Sequence, residues 1–564
     1  MPSLIDTHWP VPRFADKFRI LFREASRLSM STLTERLAAL YGDRPAFFLD
    51  EPLEYAFFSG DCLTHRDLAR LTARTAHALQ RVGVARGERV GLLTTNRIEL
   101  AFAEFATLKL GAVAVPMNAM LRARELRHLI QDCGIETLVT DSRVFEQSLR
   151  DTDAFPEVKR WIMVGEGAAP SGVHAYGDLL ADADDRFASD PLPSEALAMV
   201  LYTSGTTGVP KGAMLSDGAL MHSVRAQARL STFLPTPRRN LSLLVMPLAH
   251  TSGHQAMLLQ LVMGTPMLLH GQFSPQRVLE TIQKYRVTMF SGVPAMFKML
   301  RDAGAENYDL SSIEILAWGG DAMPRDLLHR FRELTTRRGR FGRRKTPLWI
   351  SGYGLAETAG QVTRVMGSVA DTGVAGRPLR GVQVRILDDA GKPVPRGEVG
   401  ELWVKSPGLM LGYLGRPKAT AEVLRDGWFR TGDLVREGPG RRLVLQSRAK
   451  DMIKVGGYSV FPAEVERQLS EHPDVLQVAV VGLPHEVKGS VPVAAVVRQP
   501  GSDLTSAELM TWSREHIAPY KAPREIVFVD KIPVSSTLKM QRHAVREHLL
   551  AQRAAGERRP EARV

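Results

Sequence analysis

The chain has 564 residues, 44% hydrophobic and 24% charged, with a formal net charge of +12 at pH 7. That length exceeds what one compact core serves, so two or more domains are expected, and the composition excludes a disordered or fibrous chain. Only Cys62 and Cys133 occur, which argues against a disulfide framework or a cysteine-based zinc site and fits a reducing compartment.

The opening residues, MPSLIDTHWPVPRF, hold charge and proline where a signal peptide needs an unbroken apolar core. FADKFRILFREASRL (14–28) then places Phe14, Phe18, Leu21, Phe22 and Leu28 on one helical face among basic residues. Such a helix either packs on its own domain or touches an anionic membrane. From residue 63 the pattern alternates. LTHRDLARLTARTAHALQRVG predicts an amphipathic helix ending at Gly83, RVGLLTT a buried strand, AFAEFATLKLG a helix, AVAVPM a strand and ELRHLIQDCG another helix. Similar alternation runs from 240 to 350, and repeated βα units imply a mostly parallel, helix-covered sheet. The longest apolar run, AMLLQLVMGTPMLL from Ala256, is too short and interrupted to span a bilayer, so a cytoplasmic protein is expected. Beyond about 373 short glycine-punctuated strands (GVQVRILDD, GELWVKS, RLVLQS) predict a β-rich subdomain. After SRAKD (447–451) an α+β pattern follows. The expected fold is therefore α/β: an N-terminal domain over 1–446, a boundary at 447–451, a small α+β domain over 452–552, and a solvated tail over 553–564.

LYTSGTTGVPKGAML (201–215) stands apart from this alternation. An apolar segment runs into a loop of small hydroxyl residues and glycines, with Lys211 held behind Pro210. Glycine-exposed backbone N–H groups, hydroxyls and one cation make a phosphate cradle. The loop lacks the Gly-Lys-Ser/Thr ending of a Walker A sequence, so it is a phosphate loop of another kind. No G-x-S-x-G elbow occurs, which disfavours a serine hydrolase.

Five further stretches occur in chain order: SGYGLAET (351–358), GRPL (376–379), WFRTGDL (428–434), SRAKDMIKVGGYSVFPAEVE (447–466) and STLKMQR (536–542). With the phosphate loop they resemble, over roughly residues 30 to 550, the motifs of the adenylate-forming superfamily, which includes acyl-CoA synthetases, peptide-synthetase adenylation domains and luciferase. The resemblance implies an acid–thiol ligase. A carboxylate attacks the α-phosphate of ATP, pyrophosphate leaves, and a thiol displaces AMP from the acyl-adenylate.

It also implies roles for particular residues. Thr203, Ser204, Gly205, Thr206, Thr207, Gly208 and Lys211 would hold the phosphates, and Glu357 with Thr203 would hold Mg²⁺, a hard ion suited to oxygen donors. Gly320 and Asp321, in the stretch from Trp318, would line the adenine pocket with Gly352 and Tyr353. Asp433 would take the ribose hydroxyls, and Arg448 and Lys454 would complete the nucleotide site. Lys539 would be the catalytic lysine at the α-phosphate. Here Leu538 replaces the family's preceding glycine, and Ser447 stands where glycine is common. Lys450 would be the hinge on which the C-terminal domain swings between two poses. Gly456 and Gly457 would line the CoA tunnel.

His250, His254, Val293 and Ser351 would form the acyl pocket. The His250–His254 spacing resembles half a zinc site, but no glutamate or third ligand accompanies it. PLAHTSGHQAMLLQ (247–260) lacks the aspartate that amino-acid-activating relatives use, and no Arg or Lys awaits a second carboxylate. An apolar monocarboxylic acid follows. A medium or long fatty acid is favoured, with aryl and steroid-like acids kept open. No carrier domain follows residue 550, which favours free CoA over a carrier protein. No base-reading fold is visible, so nucleic acid is not an expected partner. The basic loop TTRRGRFGRRKTP (335–347) leaves a membrane contact open, and homodimerisation is equally open.

Overall fold

The structure is a computed structural model that describes residues 28–165, 169–203, 210–232, 240–321, 323–338, 344–367, 374–455, 458–485, 489–519, 521–535 and 540–554. The chain divides into two compact units. The first comprises 1–370, 376–383 and 405–429, and the second 371–375, 384–404 and 430–564.

The first unit contains two largely parallel sheets. One has the order 173–175, 160–164, 137–141, 89–93, 113–116, 197–203, 211–216, 412–413. Its strands are parallel up to 197–203, and the last two are added antiparallel. The other runs 58–64, 45–55, 267–269, 242–244, 289–292, 315–318, 348–351, 363–366, 374–378. The helices predicted between residues 63 and 134 are present, and the helical face predicted over 14–28 lies, apart from Leu28, outside the described residues. That over His65–Arg81 starts at a capping box in which Thr64 accepts the Asp67 N–H at 3.1 Å, and Gly83 beyond its end takes φ 93°. The helix Ile98–Lys109 is buried at every residue. Its apolar side chains share one core with strands of both sheets, including Phe47, Leu92 and Met267. A helix apolar all round belongs inside a layered domain, and this one also carries Glu99 and Glu104 into the core.

His65 is fully buried, and burial, reinforced by Arg44, pulls its pKa down to about 3. The unfolded chain takes up this proton near pH 6.5 whereas the folded chain refuses it until far lower. Stability is therefore complete above pH 6.5 and declines between 6.5 and 3. A loss of about 1.4 kcal/mol per pH unit from this residue is expected over pH 6 to 4. Urea unfolding of wild type and His65→Gln across that range checks it: the variant should show a shallower slope, and parallel slopes would exclude His65 as the cause.

The second unit holds a strand set in the order 442–448, 428–438, 399–405, 383–387 and a five-stranded sheet. In the latter, 475–485 and 489–498 pair antiparallel over their whole length, and 525–528 adds in parallel to 489–498. The core of that sheet is aliphatic, with Val465, Leu469, Val480, Val496 and Leu509 fully enclosed. The β-rich texture expected beyond 373 and the α+β pattern beyond 451 are both present.

Candidate active site

Four neighbouring parallel strands of the first unit, 242–244, 289–292, 315–318 and 348–351, lead at their carboxyl ends into residues singled out from the sequence. His250 follows the first, Val293 the second, Gly320 and Asp321 the third, Gly352 and Tyr353 the fourth. Gly292, Trp318 and Ser351 are register partners across three of them. Ligand sites in open parallel sheets form beyond such strand ends because the loops there diverge and leave a crevice. Gly320 sits at φ 83°, where a side chain would be strained. A Cβ on Gly352 would lie 2.4 Å from the Thr363 carbonyl oxygen, so the close backbone approach itself demands glycine.

The phosphate-loop candidates Ser204, Gly205, Thr206, Thr207 and Gly208 lie outside the described residues. The strands that carry the loop are described: Leu197–Thr203 pairs antiparallel with Lys211–Ser216, and Thr203 faces Lys211 in register. The turn Ala356–Thr358 packs against both strands. Lys211 Nζ stands over the Tyr413 ring, 5.2 Å from its centroid, and the Tyr413 hydroxyl donates to Glu357 Oε1 at 3.0 Å. Tyr413 is brought there by pairing with Ala213, and the Met410 N–H donates to the Glu357 carbonyl at 2.9 Å. One aromatic side chain thus joins the loop cation to the acid.

A second bracket lies alongside. Tyr202 donates to Asp132 Oδ2 at 2.9 Å, and Arg416 donates to Asp132 Oδ1 at 2.8 Å. Burial, with Cys133 and Asp132 adding to it, pushes the Tyr202 phenol upward, and burial pushes the Cys133 thiol up to about 11. Both remain protonated at neutral pH, the Tyr202 hydroxyl as a donor to Asp132 and the Cys133 thiol as a poor nucleophile.

In the second unit Asp433 and Arg448 are register partners on adjacent antiparallel strands. Arg448 Nε lies 2.7 Å from Asp433 Oδ1, and the carboxylate is 7% exposed. Lys454 is exposed on the strand Ile453–Val455, and Lys450 is exposed in the turn Ala449–Asp451. Gly456, Gly457, Leu538 and Lys539 lie outside the described residues. The chain flanking Lys539 is closed by an antiparallel bridge between Val534 and Met540 and by the Gln541 N–H on the Pro533 carbonyl at 2.9 Å. Arg542 clamps Glu466 through Nε at 2.9 Å and Nη2 at 2.5 Å.

The description "AMP-binding enzyme" belongs to the family model that matches residues 34–414, and a model for the AMP-binding enzyme C-terminal domain matches 464–539. This chain belongs to the AMP-binding enzyme family. Similar proteins include a feruloyl-CoA synthase of an Amycolatopsis species, 36% identical over 86% of this chain and 94% of that one. An indoleacetate–CoA ligase of Aromatoleum aromaticum is 34% identical over 86% and 93%. Among solved structures, an anthranilate CoA ligase in complex with anthranoyl-AMP superposes with a TM-score of 0.83 at 26% identity, covering 94% of this chain and 99% of the other. The AMP-binding enzyme is accordingly an acid–thiol ligase of the AMP-forming type, with ATP and CoA as substrates.

Within the AMP-binding enzyme the residues that sequence reasoning missed are Tyr413, Asp132 and Arg416. The local signal, GYLGRP (412–417), looks like turn chemistry. Its strand partner lies some two hundred residues earlier.

For Mg²⁺ the donor set fits a hard ion carried mostly by phosphate and water: the Glu357 carboxylate, with the Thr203 hydroxyl on the neighbouring strand. Among the described residues no group of three or more His, Cys, Asp or Glu side chains could cage a metal alone.

The two histidines part ways. His250 caps the helix Thr251–Met263, its Nδ1 accepting the Ser252 N–H at 3.4 Å and lying 3.0 Å from Ser252 Oγ. His254 points into the core, 1% exposed, with Nε2 2.7 Å from Glu104 Oε1. Gly253 between them allows the first turn to press on the preceding loop, for a Cβ there would sit 2.1 Å from the Pro247 carbonyl oxygen. Gly253→Ala should therefore cost about 1–3 kcal/mol by overpacking and displace His250. The checks are urea unfolding together with the KM for the acid, both of which should worsen; an unaltered KM would separate His250 from this packing.

No helix among the described residues is long and apolar enough to cross a membrane.

Proposed function

We propose that this ligase activates an apolar monocarboxylic acid, an aromatic one ahead of a fatty acid, and transfers the acyl group to CoA. The observation that carries the reading is the Lys211–Tyr413–Glu357 cluster at the base of the phosphate loop. It holds one cation and one carboxylate together, the pair that a polyphosphate and its metal would require.

In the first half-reaction a carboxylate oxygen of the acid bonds to the α-phosphorus as the bond to the pyrophosphate oxygen breaks. Lys211 and the loop donors hold the departing phosphates, and Lys539 offsets charge at the α-phosphate. Glu357 and Thr203 would hold Mg²⁺, which when bound would neutralise phosphate charge. Asp433 holds the ribose, with Arg448 fixing its carboxylate. In the second half-reaction the CoA thiolate sulfur bonds to the acyl carbon and AMP departs. Lys450 provides the backbone pivot between the two halves, Lys454 assists at the nucleotide, and Gly456 and Gly457 give the pantetheine arm a passage.

Support for an aromatic acid comes from the relatives named for ferulate, indoleacetate and anthranilate. The half-buried His250 and Val293 and the buried Ser351, each at or beyond the end of a strand in the same sheet, are apolar to neutral and add no second cation.

The test is pyrophosphate release from ATP over a panel of aryl, fatty and steroid acids, each with and without CoA. Turnover that needs both an aromatic acid and CoA supports the proposal. Preference for long fatty acids would overturn the acyl assignment, and a single stalled turnover in the presence of CoA would replace CoA by a carrier protein.

A further inference from the structure

The helix Asp217–Thr232 leaves the phosphate-loop hairpin and carries His222, Arg225 and Arg229 at positions i, i+3 and i+7, one stripe of its surface. With Ala226 and Arg380 these side chains line a cavity of about 190 Å³. Among the described residues its wall thus presents three guanidinium groups and an imidazole, and no carboxylate.

The positive groups are poorly compensated. Arg229 and Arg380 make no hydrogen bond or ion pair among the described residues. Arg225 donates to the Leu28 carbonyl, but its Nε, the Arg229 Nε and the His222 Nε2 are buried without a partner. The acid on this helix, Asp217, accepts the Met30 N–H at 2.7 Å and the Ser29 hydroxyl at 3.0 Å, and it acts on Arg225 through space without an ion-pair contact. A fourth guanidinium, that of Arg364, is 7% exposed and bonded only to neutral groups, among them Gln227 Oε1 at 2.9 Å. Burial lowers its pKa to about 10. His222 is held neutral by burial and by the arginines beside it.

Each buried unpaired donor carries a desolvation cost, and clustered like charges add to it. One multiply charged anion would relieve both costs, and guanidinium forks match phosphate oxygens two at a time. The cavity lies below the roughly 300 Å³ at which pockets for whole organic ligands begin, so the occupant is compact. Its location is also suggestive: a Cβ on Gly408 would lie 3.6 Å from His222 Cδ2 and 3.1 Å from the carbonyl oxygen of Thr358, next to Glu357.

We propose that His222, Arg225, Arg229 and Arg380 form a second anion site, which takes a phosphate group: inorganic phosphate, diphosphate, or the terminal phosphomonoester of a larger molecule. It does not depend on which acid the ligase activates.

The test is calorimetric titration of the full chain with inorganic phosphate and with diphosphate, the nucleotide site being filled by a non-hydrolysable acyl-adenylate analogue. Saturable binding is expected, weakened at least tenfold in Arg229→Gln/Arg380→Gln and retained in Lys211→Ala. Neither Arg229 nor Arg380 anchors another group among the described residues, so the double variant should fold, as far-UV circular dichroism will report. Displacement of the anion by CoA but not by 3′-dephospho-CoA would identify a phosphomonoester as the source, whereas displacement by neither would identify the free anion. Absence of saturable binding, unchanged affinity in the double variant, or loss in Lys211→Ala would each overturn the site.

Discussion

Glu357→Gln is expected to lower acid-dependent pyrophosphate release by at least about 100-fold, the scale seen when one electrostatic contact to a transition state is removed. The substitution preserves shape, and the backbone tie that holds the turn, the Met410 N–H on the residue-357 carbonyl, is independent of the side chain. The Glu357 carboxylate is partly exposed beside the phosphate-loop strands, and one of its oxygens is already oriented by Tyr413. What the variant loses is therefore negative charge at the place where a metal–phosphate complex would sit. Tyr413→Phe gives the graded control. It retains the ring beneath Lys211 but frees the carboxylate, and a hydrogen bond to a charged group is worth about 1.5–3 kcal/mol. A roughly tenfold or greater loss should follow, together with a raised Mg²⁺ requirement. The measurement is pyrophosphate release against Mg²⁺ concentration for the three proteins. A wild-type rate for Glu357→Gln at saturating Mg²⁺ would remove the metal role from this residue, and an unchanged Mg²⁺ profile for Tyr413→Phe would reduce Tyr413 to a packing residue.

Local order was legible wherever the signal is periodic or capped. The helix His65–Arg81 was expected from its apolar spacing, and Thr64 and Asp67 fix its start as their residue types suggest. The phosphate-loop stretch was legible because it is one contiguous motif, whereas the antiparallel pairing of the strands on either side of it was not predicted. Long-range placement was not. Tyr413 reaches Glu357 only because residues 412–413 add an edge strand to 211–216, and nothing in the intervening sequence encodes that register. Gly352 is placed in the adenine pocket by its motif, but the reason it must be glycine, the Thr363 carbonyl against its backbone, comes from a strand beyond the turn through Gly360. His250 and His254 are equivalent by spacing. Their difference comes from what packs on each face of the helix, and the partner of His254 is supplied by a helix about 150 residues earlier.

That partner gives the largest expected effect on stability. Glu104 is 0% exposed in a helix buried along its whole length, and its Oε1 meets His254 Nε2 at 2.7 Å, while Oε2 and His254 Nδ1 find no partner among the described residues. Glu104→Ala would leave the imidazole with both nitrogens buried and unpaired and would open a cavity beside it. Removing one member of a buried polar pair costs about 3–5 kcal/mol. Replacing both by apolar residues of similar volume is often neutral. Glu104→Met/His254→Leu should therefore recover most of what Glu104→Ala loses, and the first urea unfolding transition of the single and double variants measures this. A loss below about 1 kcal/mol in Glu104→Ala would show that the pair contributes little. The same variants carry a functional consequence, because His254 lies on the helix that His250 caps. Loosening its anchor should raise the KM for the acid while sparing that for ATP. If the double variant restores stability but not the acid KM, the pair positions the acyl pocket as well as holding the core. If both recover together, its role ends at packing.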